Sequence, residues 1–294
     1  MTDPTLDRSM TSEDLSMSPV AVPPSPVQSE RTTHEAEQQL EQTNRWAAKL
    51  RQVDTTDAPI RSRWPKDFCL SIIVPVYNEE RTIQEMLERL VALDVPKQVI
   101  VVDDGSTDGT RNILAGWHHR REVELVLKPC NEGKGASLRT GFARVEGNLV
   151  VVQDADLEYD PADIESLVAP IINGEADVVY GSRFLKRRHS GSSFVHRVGN
   201  GLLTAFSNVM TGLRLTDMET CYKVFPARLL RELEIHQNGF GIEPEITAKL
   251  ARRQLIFAEV PIAYHARDWQ DGKKIGFRDA FQAIYCIFRY AWRD

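Results

Sequence analysis

From Phe68 onward the chain alternates short β-branched runs with amphipathic segments, and this alternation limits the possible folds more than any other feature. CLSIIVPVY precedes a helical pattern over 79–92, KQVIVVDD one from 108, VELVL one from about 133, and NLVVVQDAD one over 161–172; ADVVYGSRF closes the series. Val/Ile runs without polar alternation describe strands covered on both faces. Strand and helix in succession describe βαβ units and a mainly parallel sheet flanked by helices, an α/β architecture. After Gly181 the rhythm breaks. A basic loop (183–197), a helix near 198–211, an irregular DMETCYKVF segment, a helix near 242–253, the strand IFAEVPIAY, a second basic stretch and a C-terminal helix over about 276–292 follow.

The first 66 residues are of another kind. Residues 1–32 are rich in Ser, Thr, Pro and acids and lack apolar periodicity, so they are expected to be disordered. A thin apolar face (Leu40, Trp46, Leu50) gives 33–53 a half-formed helix, and 54–66 read as a linker. The division expected is an extension over 1–66 and a catalytic domain over 67–294. Four cysteines, Cys69, Cys130, Cys221 and Cys286, form no CxxC pair, which fits a reducing cytoplasm better than a disulfide framework. No signal peptide and no apolar run of membrane-spanning length is found, so any membrane contact is expected to be peripheral, at the cytoplasmic face. A net charge of −6 argues against nucleic acid as a partner.

Ligands of open parallel sheets bind beyond the carboxyl ends of the strands. Three strands deliver acids to that edge: Glu79 after the first, Asp103 and Asp104 after the second, Asp154 and Asp156 after the fourth. Like charges gathered there call for a cation between them. Mg²⁺ or Mn²⁺, which prefer oxygen ligands and share them with phosphates, is the natural one. On an extended segment residues i and i+2 point the same way, so Asp154 and Asp156 are expected to face one site. For that pair the competing reading is an ordinary Asx turn. Glu158, two residues further on, either completes the metal shell or is a surface glutamate. Asn131-Glu132-Gly133-Lys134-Gly135 opens a helix, where backbone comes close to an anion. Neither GxxxxGK[ST] nor GxGxxG after the first strand is present, which disfavours a P-loop enzyme and a dinucleotide oxidoreductase. Basic clusters at Arg183–Arg197 and Arg267–Arg278 contrast with the acidic whole and suit a phosphorylated acceptor or an anionic membrane. In the C-terminal helix, aromatics interspersed with arginines fit either core packing or an interface.

Taken in order, IIVPVYNEE, VVDDGSTDGT, NEGKGASLRTG, VVQDADLEYDP and VVYGSRF resemble family 2 glycosyltransferases of the GT-A fold, within them the dolichyl- or polyprenyl-phosphate mannosyl- and glucosyltransferase branch. The resemblance covers about 68–294. It implies that Pro75, Tyr77 and Glu79 border the nucleotide, that Asp104 helps bind the nucleoside, and that Lys134 lies near the donor. It implies that Asp154 and Asp156 hold metal and diphosphate with Glu158 beside them. Arg183 matches the acceptor-phosphate arginine of the GSR motif, with Arg197, Arg267 and Lys274 as further acceptor contacts. Asp217 and Glu219 are candidates for a catalytic role or a structural one.

The reaction so implied is inverting transfer of a hexose from GDP-mannose, or next UDP-glucose, to a polyprenyl phosphate. A phosphate nucleophile, with a second pKa of about 6, is ionised near pH 7 and needs no base. A hydroxyl acceptor would need one, and Asp217 or Glu219 is then the first suspect. The alternatives are a soluble glycosyltransferase acting on hydroxyls, a nucleotidyltransferase, and a non-catalytic protein that only binds nucleotide-sugar.

Overall fold

Strands form where β-branched residues run without interruption, and each places alternate side chains on opposite faces of one sheet. A computed structural model describes residues 64–185, 194–266 and 277–292, all within the second of the chain's two units, Asp57–Asp294. The expectations for 1–63, helix 33–53 included, and for the loops at 186–193 and 267–276 lie outside the described residues.

The elements in order are β1 (Leu70–Val76), α1 (Ile83–Ala92), β2 (Lys97–Asp103), α2 (Thr110–Ala115), β3 (Val123–Leu127), α3 (Lys134–Phe142), β4 (Leu149–Val152), α4 (Ile164–Ile172), β5 (Val178–Ser182), α5 (Phe194–Thr211), β6 (Lys223–Pro226), α6 (Ile242–Ala251), β7 (Phe257–Pro261) and α7 (Phe277–Trp292). The sheet order is β3-β2-β1-β4-β6-β5-β7. All neighbours are parallel except β6, which runs antiparallel to both β4 and β5. This is the α/β architecture that the strand–helix alternation requires.

Period two places the core on both sides. Ile72, Val74, Val99, Val101, Val151 and Val179 face one cluster with α1 and α4. Ile73, Ile100, Val102, Val150, Val152 and Tyr180 face the other, with α3 and α6. Each fully buried Val or Ile contributes about 1.5–3 kcal/mol.

Two expectations are corrected. DMETCYKVF is not irregular throughout: its end is β6, whose antiparallel insertion no periodicity in so short a segment announces. Nor are Asp154 and Asp156 paired by strand alternation. β4 stops at Val152, and a turn begins at Ala155 with Leu157 at φ +61°. A branched residue in that region costs about 1–2 kcal/mol, so the turn is held by its surroundings.

Candidate active site

The carboxyl edge of the sheet carries acids, as expected, but the protein supplies cations for Asp103, Asp104 and Asp154, and for Asp217 beside them. Arg111 Nε lies 2.6 Å from buried Asp103. Lys128 Nζ lies 2.5 Å from Asp104. Lys134 Nζ lies 2.9 Å and 3.0 Å from the two oxygens of Asp154. Arg183 grips Asp217 through Nε and Nη2, each at 2.7 Å. Repulsion between acids is thus relieved within the fold, so charge balance alone does not demand a metal.

Asp104 works on the loop rather than outward. Its oxygens accept from Lys128 and from the backbone N–H groups of Glu132 (3.1 Å) and Gly133 (2.7 Å). Burial would raise this carboxyl, but those donors outweigh it and hold it below the usual carboxylate range. Asp104 therefore fixes the entry of α3. The glycines there serve close approach: Gly133 sits at φ +100°, and a Cβ on it or on Gly135 would collide with the backbone carbonyl of Asn238 or Gln237. Ala136 N donates to Asn238 O at 3.1 Å, and Arg139 Nη1 to Gln237 O at 2.7 Å. Lys134 is the first residue of α3, and this seat aims it at Asp154. Its ammonium there orients the Asp154 carboxylate.

Asp156 Oδ1 accepts from Glu158 N at 3.1 Å, an Asx turn. Glu158 Oε2 accepts from Tyr264 Oη at 2.9 Å. Above the same ring stands Arg183, its Cζ 5.2 Å from the Tyr264 centroid and 5.9 Å from that of Tyr159. Tyr264 thus joins the Asp156–Glu158 turn to the arginine that follows β5. Burial alone would lower the Arg183 guanidinium; Asp217 outweighs it and keeps the cation fixed. Asp217 is itself set by Asn200 of α5 at 3.0 Å, while Glu259 receives Asp217 N and Thr216 N. Pro75 is the next-to-last residue of β1 at this edge, and Tyr77 and Glu79 follow the strand. Glu79 N donates to Thr110 Oγ1 at 2.9 Å, and its Oε2 accepts from Thr82. Arg197 is exposed on α5, one turn before Asn200. Arg267 and Lys274 lie outside the described residues.

Sequence reasoning missed Lys128, Asn200, Lys223, Glu243, Glu259 and Tyr264. Ile242–Leu250 of α6 is buried on all sides in the folded chain yet carries Glu243, Glu245 and Lys249, and charges in such an element must be paired. Lys223 Nζ contacts Glu243 Oε2 and Thr220 O. Lys134 Nζ lies 3.1 Å from Glu243 Oε1.

Glu219 sits beside this network with its Oε1 shut from solvent and no hydrogen-bond partner among the described residues. Burial pushes its carboxyl up to about 7 from 4.5, with Lys223 opposing. The folded chain therefore keeps a proton that the unfolded chain loses near pH 4.5. That contribution to stability is complete below the unfolded value and fades as pH rises through the folded one. Glu219→Gln is expected to abolish this fade, worth roughly 3 kcal/mol at most. Denaturant titrations from about pH 5 to about pH 8 should show wild type losing stability relative to the variant; parallel curves would refute the assignment.

Comparison with known proteins decides the family. Residues 71–233, more than half the chain, match the family described as Glycosyl transferase family 2. The chain belongs to that family. This family 2 glycosyltransferase is 31% identical over 204 residues to the low-salt glycan biosynthesis hexosyltransferase Agl6 of Haloferax volcanii, covering 68% of this chain and 48% of that protein. To the dodecaprenyl-phosphate galacturonate synthase of Rhizobium johnstonii it is 29% identical, over 79% of this chain and 70% of that one. With the undecaprenyl-phosphate 4-deoxy-4-formamido-L-arabinose transferase of Proteus mirabilis the identity is 29%, over 69% and 62%. The glycosyltransferase thus spans about half the length of the first of these relatives and less than two thirds of the third. Among solved structures, glucosyl-3-phosphoglycerate synthase from Mycobacterium tuberculosis in complex with UDP superimposes with a TM-score of 0.59 at 23% identity, over 77% of this chain and 81% of that one. The same synthase with Mn²⁺, UDP and glucosyl-3-phosphoglycerate gives 0.58 at 22% identity, over the same shares. The fold is GT-A.

Proposed function

We propose that this glycosyltransferase moves a sugar from a nucleoside diphosphate to a polyprenyl phosphate. The observation that carries the reading is the contact chain Asp156–Glu158–Tyr264–Arg183, which sets a fixed arginine beside the acidic turn. Two of the relatives named above are polyprenyl-phosphate sugar transferases by their names, which supports the same acceptor. Arg183 uses Nε and Nη2 on Asp217, and a guanidinium has a further edge, at Nη1, for a phosphate. The phosphate is the nucleophile and is ionised near pH 7 without a base. Asp217, locked to Arg183, orients that cation in this reaction rather than removing a proton.

The donor set fits Mg²⁺ or Mn²⁺. No group of three His, Cys, Asp or Glu residues suited to a metal occurs among the described residues, but such cations take one or two carboxylates and complete their shell with phosphate oxygens and water. Asp156 and Asp154, with Glu158 adjacent, would hold it, and it would neutralise the leaving diphosphate. GDP-mannose and UDP-glucose are the first donors to test. Because the relatives' names include galacturonate and formamidoarabinose, the panel should include the corresponding UDP-sugars. Labelled sugar passing from one donor into solvent-extractable lipid would establish the reading; binding of donor with no label in lipid under any donor would refute it.

The acceptor's lipid chain needs an apolar surface near Arg183. No helix among the described residues is long and apolar enough to cross a membrane. α7 buries Ala283, Cys286, Ile287 and Tyr290, so core packing holds on one face, while Phe281, Ile284, Tyr285, Phe288 and Trp292 remain exposed on the other. On α5, Val198, Leu202 and Val209 are exposed, whereas Asn200 reaches Asp217. Neighbouring aromatic and aliphatic stripes with arginines beside them suit peripheral contact with an anionic bilayer. Joint replacement of Phe281, Phe288 and Trp292 by Ser is expected to weaken sedimentation with anionic vesicles more than about tenfold. Unchanged vesicle binding would assign these stripes to another partner.

A further inference from the structure

Lys134 has two carboxylates within reach. Its Nζ lies 2.9 Å and 3.0 Å from the oxygens of Asp154 and 3.1 Å from Oε1 of Glu243. The two neighbours are not equivalent. Asp154 accepts a well-aligned hydrogen bond from the ammonium. Glu243 Oε1 is buried and, among the described residues, has no aligned hydrogen bond. The other oxygen, Oε2, is anchored by Lys223, which Thr220 O fixes in turn. Glu243 is thus clamped on one side and open to Lys134 on the other. Both lysines outweigh the effect of burial and hold the Glu243 carboxyl below the usual range.

We infer that Glu243 is a positioning residue that provides a second seat for the Lys134 ammonium, and so sets how readily Asp154 is released to a divalent cation. This rests on the metal reading of the Asp154–Asp156 turn given above. An Asp154 oxygen engaged by an ammonium cannot also serve as an unhindered ligand, so Lys134 must give way. In a buried setting it can leave only toward another anion, because an unpaired buried charge is costly. Glu243 Oε1 is that anion, close enough to receive it without movement of α3 or α6. Glu243 also balances charge. Asp154 and Glu243 match Lys134 and Lys223; without the Glu243 charge the two ammonium groups would have Asp154 alone as their paired carboxylate, and an incoming cation would compete with both for it.

The test is uptake of Mn²⁺ by the full chain in the presence of UDP and, separately, GDP, read from the spin-resonance signal of free Mn²⁺, with calorimetry of the metal-free nucleotides beside it. Glu243→Gln is expected to raise the Mn²⁺ midpoint about tenfold, the size of effect typical of a group that orients a ligand. Metal-free nucleotide binding should not weaken, since the variant makes the site more positive. A merely structural defect would weaken both. Lys134→Met should lower the midpoint, because Asp154 is then unopposed. In that background Glu243→Gln should change the midpoint by less than about threefold, since its route of action has gone. If Glu243→Gln does not fold, Glu243→Asp keeps the charge but retracts the carboxylate, and a smaller rise in the midpoint is expected. An unchanged midpoint in Glu243→Gln, or an equal shift with and without Lys134, overturns the inference. Wild-type protein that takes up no Mn²⁺ with either nucleotide overturns the metal reading itself, and this inference with it.

Discussion

Asp217→Ala is expected to destabilise the fold by about 3–5 kcal/mol. The cause is the charge left behind. Asp217 is fully buried and Arg183 nearly so, at 0% and 16% side-chain exposure. Removing the carboxylate leaves a guanidinium that cannot deprotonate, in a setting lined by Tyr159 and Tyr264. It also takes acceptors from Arg183 N and Asn200 Nδ2. A buried ion pair need not be a net gain over apolar residues, yet breaking one half is costly because the other half stays. Denaturant unfolding would measure the loss. Pairing the change with Arg183→Met separates the causes: the double variant should be less destabilised than Asp217→Ala alone. Equal or additive losses would mean that the pair is not the unit described here.

Asp156→Ala should leave folding nearly intact and remove transfer. This carboxylate closes an Asx turn with Glu158 N, a contact worth about 1 kcal/mol. Its place in the proposed reaction is larger. If it holds the cation that neutralises the departing diphosphate, its loss withdraws several kcal/mol of transition-state stabilisation, or about a thousandfold in turnover. The loss should appear in kcat at saturating donor and should not be restored by raising Mn²⁺ moderately. A variant retaining a tenth or more of wild-type turnover would remove Asp156 from the metal-binding role.

The sheet was legible because its information is local and repeated. Each Val/Ile run occupies two buried faces, and helices such as α1 and α4 show their own apolar stripe, so β1 to β5 and β7 could be placed within a few residues. β6 was not legible. Its four residues carry no period, and it is a strand only because β4 and β5 stand far enough apart to admit one between them. The acids of the site were found for a sound reason, their position at strand ends, but the inference that they needed an outside cation was incomplete. Their partners come from distant stretches: Lys128 for Asp104, Lys134 for Asp154, Arg183 for Asp217. No spacing rule links such pairs. Tyr264 and Glu243 were missed for the same reason, since each gains its meaning only when β7 or α6 packs beside the turn after β4. The Asp154–Asp156 geometry was misjudged because the strand was assumed to continue, whereas Leu157 at φ +61° marks a turn.

The central claim is that a phosphate, held by Arg183, receives the sugar. It is tested most directly by offering the same donor and Mn²⁺ with polyprenyl phosphate and, in parallel, with the polyprenol of equal length. The account predicts nucleoside diphosphate release and a glycosylated lipid only with the phosphate, and their loss in Arg183→Met. Comparable transfer to the polyprenol, or transfer to the phosphate that survives loss of Arg183, would contradict it.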